Sequence, residues 1–249
     1  VFIGIAAITT LISFGQGISS YVEQISQEMG DDKLLVQPRG FGFGPPSLDS
    51  NVRLGKNDLE AVRDVKGVQE ATGVYMISGE VQFQDQKRYG FLMGSDYQEH
   101  RVLLEEVFAL DLDEGNLLRG NEQSKVLLGY NYKLPDKIFE RPVRLRDKLI
   151  INNHTFSVAG FYEAVGNPQD DSNMYITTEA MEELFAPKNY LWLLIRASPG
   201  VAPSSLAEDI KKDLRDHRHQ DPGEEDFYVQ TFEQVIATFS SILSIITGV

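Results

Sequence analysis

Both ends of this chain are free of charge, and all of its charged side chains lie between them. No Asp, Glu, Lys or Arg occurs before Glu23 or after Glu233. Uncharged, apolar ends of this length are unusual for exposed chain termini, because the terminal residues of a soluble domain normally face water. The pattern therefore predicts a polar folded domain held between two apolar segments.

The first segment, residues 1–30, is uniformly apolar at its start and amphipathic towards its end. From Val1 to Phe14 it is apolar or small, which is shorter than the roughly 20 residues of a bilayer span, so we interpret it as the end of a membrane helix. Polar residues then separate apolar positions in a helical spacing. We predict a stalk helix with the packing positions Ile18, Val22, Ile25 and Met29. A signal peptide and a buried core helix are the alternatives, and the missing basic n-region argues against the signal peptide.

The last segment, residues 233–249, mirrors the first. Apolar residues from Phe232 onward recur three and four apart, which predicts a second stalk and the start of a second membrane helix. We predict that Val235, Phe239 and Ile242 pack against the first stalk or across a dimer. Both ends of the domain then lie at one membrane face. In the alternative, the two segments are amphipathic helices that pair with each other in a soluble protein.

Composition and motifs argue against several classes of function. Cysteine is absent, which excludes a disulfide framework, thiolate catalysis and cysteine zinc sites. The formal net charge of −14 argues against nucleic acid as a partner, since phosphates require basic patches. No Walker, Gly-x-Ser-x-Gly or His-Glu-x-x-His motif occurs, and the His217–His219 stretch is more typical of a solvated loop than of a metal site. We expect no enzyme activity, cofactor or metal in this chain.

The middle of the chain reads as an α/β unit that is interrupted by a β-rich insertion. Residues 31–97 predict a strand, a helix capped by Asn57 and three antiparallel strands, with turns at Ser78-Gly79 and at 85–87. Residues 98–186 predict short strands and loops that end in a helix capped by Thr177 or Thr178. Residues 187–232 return to strand, helix and strand. The two flanks most economically form one α/β subdomain.

One loop stands out as a candidate contact site. Residues 39–55 are rich in glycine and proline and are too long for a turn, and loops of this length are usually functional. Phe41 and Phe43 could enter a membrane or a partner, or could simply dock onto the domain. The glycines match neither phosphate-binding pattern.

Several segments resemble the extracytoplasmic domain of the MacB/FtsX-like permease family of ABC transporters. GIAAITTLISFGQGISSYVEQ is similar to the first membrane helix and stalk of that family, and SNMYITTEAMEELF resembles one of its strand–helix segments. Leu112–Phe139 and Val143–Gly166 resemble two further stretches in the same order. This chain carries Arg146 before Asp147, where many members have glycine before the aspartate.

The resemblance implies an α+β fold in two parts. A porter-like α/β subdomain would comprise residues 31–97 and 187–232, and residues 98–186 would form a β-rich, sabre-like insertion. Stalk helices continuous with membrane helices would carry both parts, with residues 30–232 on the extracytoplasmic side of the cell membrane.

The resemblance also implies a function. The domain would couple ATP hydrolysis, performed by an ABC-type ATPase subunit or domain outside this chain, to export or extraction of a substrate through motion of the stalks. A homodimer is implied, with an extracytoplasmic adaptor or substrate protein as a further partner. The alternative is a regulatory module without transport that engages a partner such as a cell-wall hydrolase, and a third reading, an anchored extracellular enzyme, has no catalytic motif to support it.

Overall fold

A computed structural model describes residues 31–39 and 54–238 as a mixed α/β fold around one twisted sheet. Four helices lie against this sheet, and residues 232–238 begin a further helical segment. The strands are β1 (Lys33–Pro38), β2 (Val68–Phe83), β3 (Gln86–Ser95), β4 (Leu112–Gly115), β5 (Lys125–Leu128), β6 (Lys148–Ile151), β7 (His154–Tyr162), β8 (Met174–Thr177), β9 (Trp192–Ala197) and β10 (Phe227–Thr231). The helices are α1 (Lys56–Arg63), α2 (Arg101–Phe108), α3 (Thr178–Phe185) and α4 (Pro203–His217), with short 3-10 turns at Tyr130–Lys133 and Asp170–Ser172.

Strands from the two flanks of the chain form one end of the sheet. The strand order there is β10-β1-β9-β2, and every neighbouring pair is antiparallel. Helices α1 and α4 cover one face because each presents an apolar stripe to it, with Leu59 and Val62 on α1 and Leu206 and Ile210 on α4. Strands from the two flanks therefore pair directly across the intervening residues.

The remaining strands continue the same sheet beyond β2. The order runs β2-β3-β8-β5-β7-β4, with β6 bridging β2 and β7. Strands β3 and β8 are parallel, as are β5 and β7. Helix α3 begins at Thr177, whose Oγ1 accepts a hydrogen bond from the Ala180 amide at 3.2 Å, and this confirms the predicted cap.

Strand β2 joins the two ends of the sheet. Its 16 residues span about 50 Å, and its first half pairs with β9 while its second half pairs with β3 and β6. Alternate side chains point to one face, so Glu70, Val74 and Gln82 lie on the same side of the strand. That side starts beside β9, passes under α2 and ends at the β2–β3 hairpin.

The structure corrects the predicted turn at Ser78-Gly79. Strand β2 runs through both residues without interruption. A Cβ atom on Gly79 would lie 2.6 Å from the Asn152 side chain, whose Oδ1 accepts a hydrogen bond from the Glu80 amide. This glycine therefore allows the Asn152 side chain to approach the strand closely. Glycine inside a strand often has this role, besides marking bulges and bends.

Two helix predictions are also wrong. Helix α1 begins at Lys56 after Gly55, whose amide donates to Asp58 Oδ2 at 2.7 Å, so Asn57 lies inside the helix and does not cap it. Helix α2 lies in a region predicted to hold only short strands and loops. Its buried side chains Leu103, Leu104 and Val107 show the helical spacing that the prediction overlooked.

The predicted membrane segments lie mostly outside the described residues. None of the helices between residues 54 and 238 is both long and apolar enough to cross a bilayer. The predicted stalk positions Ile18, Val22, Ile25, Met29, Phe239 and Ile242 also lie outside, as do Phe41 and Phe43.

Candidate functional site at the root of the terminal segments

The chain enters and leaves the domain at neighbouring positions. Strand β1 follows the first terminal segment and strand β10 precedes the last one, and in the antiparallel pair Leu34 lies opposite Thr231. We call Asp32, Lys33, Phe232 and Val235 the root, because these residues lie where the two segments meet the sheet. A force on either segment is therefore applied to the same corner of the sheet.

A capping box joins strand β10 directly to the helical residues 232–238. The Thr231 Oγ1 accepts from the Gln234 amide at 3.2 Å, and the Gln234 side chain accepts from the Thr231 amide at 3.1 Å. This reciprocal pair satisfies two amides that a helix start leaves without partners. No loop separates the strand from the helix, so the direction of the helix is fixed by the strand.

The two charged residues of the root, Asp32 and Lys33, belong to a larger cluster of charged side chains, which we call the anchor network. Lys33 Nζ contacts Asp32 Oδ1 and Glu106 Oε2, both at 2.7 Å, although its side chain is only 3% exposed. Arg196 contacts Glu70 Oε1 at 2.8 Å. It also contacts Glu106 Oε2 at 3.0 Å and Asp32 Oδ2 at 3.2 Å. The network comprises Asp32, Lys33, Glu70, Glu106 and Arg196.

The anchor network connects three separate parts of the chain. Lys33 and Arg196 lie directly opposite each other on β1 and β9, and Glu70 lies opposite Arg196 on β2. Two like charges in facing positions repel each other, and the shared carboxylate of Glu106 offsets this repulsion. Because Glu106 belongs to α2, the network also ties that helix to the root.

Electrostatics hold these groups in their charged forms. Burial acts to raise the pKa of Glu106, but the hydrogen bond from Lys33 and the charges of Lys33 and Arg196 outweigh it, so the pKa falls below its usual range. The same balance lowers the pKa of Asp32. For Arg196, burial alone would lower the pKa. The hydrogen bond to Glu70 and the charges of Glu106 and Asp32 outweigh burial, so the pKa lies above its usual value.

Apolar side chains complete the root on the same face. Phe232 is buried, and Val235 is half-buried, in a hydrophobic cluster that includes Leu35 and Leu194 together with the apolar side of α2. Phe108 of α2 and Trp192 of β9 pack ring to ring in this cluster, with centroids 6.1 Å apart. The first residues of the last segment thus pack onto the domain.

One group of side chains has the composition of a metal site. Donor atoms of Asp96, Glu99 and His100 lie within 4.8 Å of one another. Both nitrogens of His100 already have partners, because Arg63 lies 3.3 Å from Nε2 and Glu70 Oε2 lies 3.0 Å from Nδ1. A guanidinium can only donate, so the ring proton is on Nδ1 and neither nitrogen is free for a metal. Asp96 Oδ1 accepts from two backbone amides before α2, so the arrangement serves as a helix start.

Of the root residues, only Val235 was predicted as a packing position, and the anchor network was missed. Val235 is the one predicted packing residue among those described, and its half-buried side chain contacts the domain. The predicted contacts between the stalks stay a prediction. The network could not be found in the sequence, because Asp32, Glu70, Glu106 and Arg196 are far apart along the chain and carry no motif.

The fold is similar to that of solved extracytoplasmic domains of ABC transporters. It matches the periplasmic region of MacB from Actinobacillus actinomycetemcomitans with a TM-score of 0.67 at 17% identity, over 86% of this chain and 94% of that one. It also matches the extracellular domain of the ABC-type transporter YknZ from Gram-positive bacteria, with a TM-score of 0.60 at 14% identity, over 80% of this chain and all of that one. These similarities define the class of fold.

Sequence comparison then identifies the family. Residues 1–213 match the MacB-like periplasmic core domain, and the chain belongs to this family. An ABC transporter permease of Methanocaldococcus jannaschii is 29% identical over 99% of this chain, which spans 59% of that protein. The macrolide export ATP-binding/permease protein MacB 2 of Aeromonas hydrophila is 22% identical over 99% of this chain, which spans 38% of it. The chain therefore corresponds to about half of these curated relatives or less.

Proposed function

We propose that this chain is the extracytoplasmic domain of an ABC transporter permease and that it transmits motion from the membrane to an extracytoplasmic substrate or partner. The observation that carries this proposal is the position of the root, where the entering and leaving segments meet on the adjacent, antiparallel strands β1 and β10. Attachment of both terminal segments to neighbouring strands allows two membrane helices that move together to displace the domain as one body. A domain that is only tethered to the membrane does not need its two attachment points on neighbouring strands.

The rigid connection at the root supports the proposal. Transmission requires that a displacement reaches the sheet without being absorbed by a flexible joint. The capping box at Thr231 and the buried Phe232 remove such a joint on one side. Ion pairs from Lys33 to Glu106 and from Asp32 to Arg196 fix the other side to α2 and β9.

The proposal extends to the parts that the chain itself does not contain. An ABC-type ATPase subunit or domain on the cytoplasmic side would supply the energy, and two copies of this domain would act together. We further propose that residues 31–97 and 187–232 form a porter-like part and residues 98–186 a sabre-like part, with an adaptor or substrate protein in contact with them. Export or extraction of a substrate is the activity that this assembly would perform.

The test follows the position of the domain during the ATPase cycle. The full-length permease is reconstituted with its ATPase in nanodiscs, and a fluorophore is attached at Glu208→Cys, an exposed position on α4. This chain contains no cysteine, so labelling is specific once cysteines elsewhere in the assembly are replaced. Energy transfer to headgroup-labelled lipids is compared without nucleotide and with ADP and vanadate. We expect a nucleotide-dependent change.

A stalk variant provides the control. Val22→Pro with Ile25→Pro breaks a helix at its interior and should remove the change in energy transfer while ATP hydrolysis continues. Identical energy transfer in both nucleotide states of the unmodified permease would contradict mechanical transmission, provided that vanadate traps the ATPase. A variant that retains the full change would contradict the role of the first stalk.

A further inference from the structure

The far end of strand β2 carries an exposed surface that is bordered by a basic segment, in a chain that is acidic overall. On this surface the second half of β2 lies between β3 and β6, and β6 is followed by β7. The side chains that point outward from these strands form what we call the outer face. It comprises Glu80, Gln82, Lys87, Tyr89, Lys148, Ile150 and Thr155, and Lys87 Nζ is paired with Glu80 Oε1 at 2.8 Å.

The outer face presents apolar side chains that no described residue covers. Tyr89 is 79% exposed and Ile150 is 39% exposed, and these are two of the four large apolar side chains that are exposed in the described part of the chain. The opposite face is covered, since Phe83, Leu149 and Phe156 belong to the hydrophobic core. Exposed aromatic and aliphatic side chains within a polar surround are typical of a protein contact surface.

A basic edge borders the outer face. Residues 141–148 contain four basic residues and one acidic residue in a chain whose net charge is −14. Arg144, Arg146 and Lys148 are exposed and form no ion pair with any described residue. The one acidic residue, Asp147, is already engaged, because it accepts from the Arg144 amide at 3.0 Å and lies 3.8 Å from Arg141.

The backbone at Arg146 gives a second, independent observation. Its φ angle is +68°, in the left-handed region that disfavours side chains other than glycine. The conformation is held by two hydrogen bonds to Val158 of β7, from the Arg146 amide to Val158 O and from the Val158 amide to Asp147 O, each 2.9 Å long. A long cationic side chain thus stands at a position where glycine would be more stable, and such strain often marks a functional site.

We propose that the outer face with its basic edge docks an acidic segment of an extracytoplasmic partner protein. Cations that lack partners attract carboxylates, and Tyr89 and Ile150 would supply the apolar centre of the contact. Separation from the root favours a protein over the lipid surface. Gln82 on the outer face lies twelve positions along β2 from Glu70 at the anchor network, a distance of about 40 Å. This choice rests on the proposed function, in which the root is the side nearest to the membrane.

The test is a photo-crosslinking experiment on the full-length permease in its native cells. A photoreactive amino acid replaces Thr155 on the outer face, and the control site is Glu208 on α4, which is also exposed. Crosslinked peptides are identified by mass spectrometry. We expect Thr155, and not Glu208, to capture one segment of a second protein that is rich in Asp and Glu.

Charge variants decide whether the capture depends on the basic edge. Arg144→Glu with Lys148→Glu should lower the crosslinking yield at least about tenfold, because like charges would then face each other. Reversing the acidic residues of the captured segment to Lys should restore the yield. Arg146→Gly removes one cation and relaxes the backbone, so a reduced yield in this variant cannot be attributed to misfolding.

Four outcomes would overturn the proposal: a lipid adduct, a crosslink to a second copy of this chain, no crosslink at Thr155, or a yield unchanged by charge reversal. The energy-transfer signal at Glu208→Cys is recorded for the same variants. A normal nucleotide response without docking would refute this inference and leave the proposed function intact. Docking without a nucleotide response would refute the proposed function and leave this inference intact.

Discussion

Glu70 and Gln82, near the two ends of strand β2, point to the same face of one sheet, yet the charged side chains around them differ in burial and pairing. At the root, Glu70 joins a network in which Lys33 and Arg196 are enclosed by carboxylates. At the basic edge of the outer face, Arg144, Arg146 and Lys148 remain exposed and form no ion pair with described residues. Charges that are paired and partly buried hold a structure together, whereas exposed and unpaired charges are available to a partner. The comparison separates an anchoring end from a contacting end.

The largest expected effect contrasts one arginine from each end. Arg196→Met removes the guanidinium that contacts three carboxylates, of which Asp32 and Glu106 keep only Lys33 as a cation, and this loss should lower the free energy of unfolding by about 2 kcal/mol. Arg144→Met is the matched control at an exposed position and should change it by less than about 0.5 kcal/mol. Urea denaturation of residues 31–238 measures both. Equal losses in the two variants would invalidate the distinction between the ends.

A smaller effect is expected from the helix cap at the root. Thr231→Ala removes the hydroxyl that accepts from the Gln234 amide and should cost about 1 kcal/mol. Hydrogen exchange of the amides in residues 232–238 should accelerate. Thr238→Ala is the control, because that exposed hydroxyl donates to Gln234 O of the preceding turn. If both variants exchange like the unmodified chain, the capping box does not fix the helix to β10.

The outer face predicts a substitution that stabilises the protein. Arg146→Gly relieves the left-handed backbone, and after allowing for the greater freedom of glycine in the unfolded chain we expect a gain of about 0.5 kcal/mol. Arg144→Gly, at a residue without a positive φ angle, should instead lose a similar amount. Thermal melting compares the two. The same sign in both variants would show that the backbone at Arg146 is not strained.

The smallest effect concerns the acid sensitivity of the root. The pKa values of Asp32 and Glu106 are lowered in the folded chain, so their stabilisation is present above the ordinary values of 3.8 and 4.5 and is lost as the pH falls through the folded values. Both side chains are more than one third exposed, and water weakens the effect. Asp32→Asn with Glu106→Gln should therefore be less stable than the unmodified chain at pH 6, and the difference should narrow below pH 4. A constant difference would contradict this linkage.

Sequence patterns predicted those elements that depend on local residues. The strand, helix and strand predicted for residues 187–232 correspond to β9, α4 and β10, because alternation and helical spacing act over a few positions. The cap at Thr177 was predicted for the same reason. These signals need no knowledge of the rest of the chain.

The missed helix α2 and the misplaced cap of α1 depend on nearby residues, but other errors occurred where a distant residue decides the outcome. Gly79 lies in a strand beside the Asn152 side chain, 73 positions later, which occupies the space that a side chain would need. His100 carries no motif in the sequence, and its contacts with Glu70 of β2 and Arg63 of α1 arise only in the folded chain. The anchor network arises in the same way, from charges on three strands and one helix. Residue spacing carries no information about such contacts until the sheet order is known.

The uninterrupted course of β2 also bears on how this domain can be altered by recombination. The strand forms backbone hydrogen bonds with β9 at one end and with β3 and β6 at the other. An exchange of the β-rich region between two relatives would therefore have to replace part of a strand that also belongs to the neighbouring unit. Such a graft would bring together two half-strands that did not evolve as one. We expect lineages of this domain to acquire new partners by substitutions on the outer face, and chimaeras to succeed only when all of β2 is transferred.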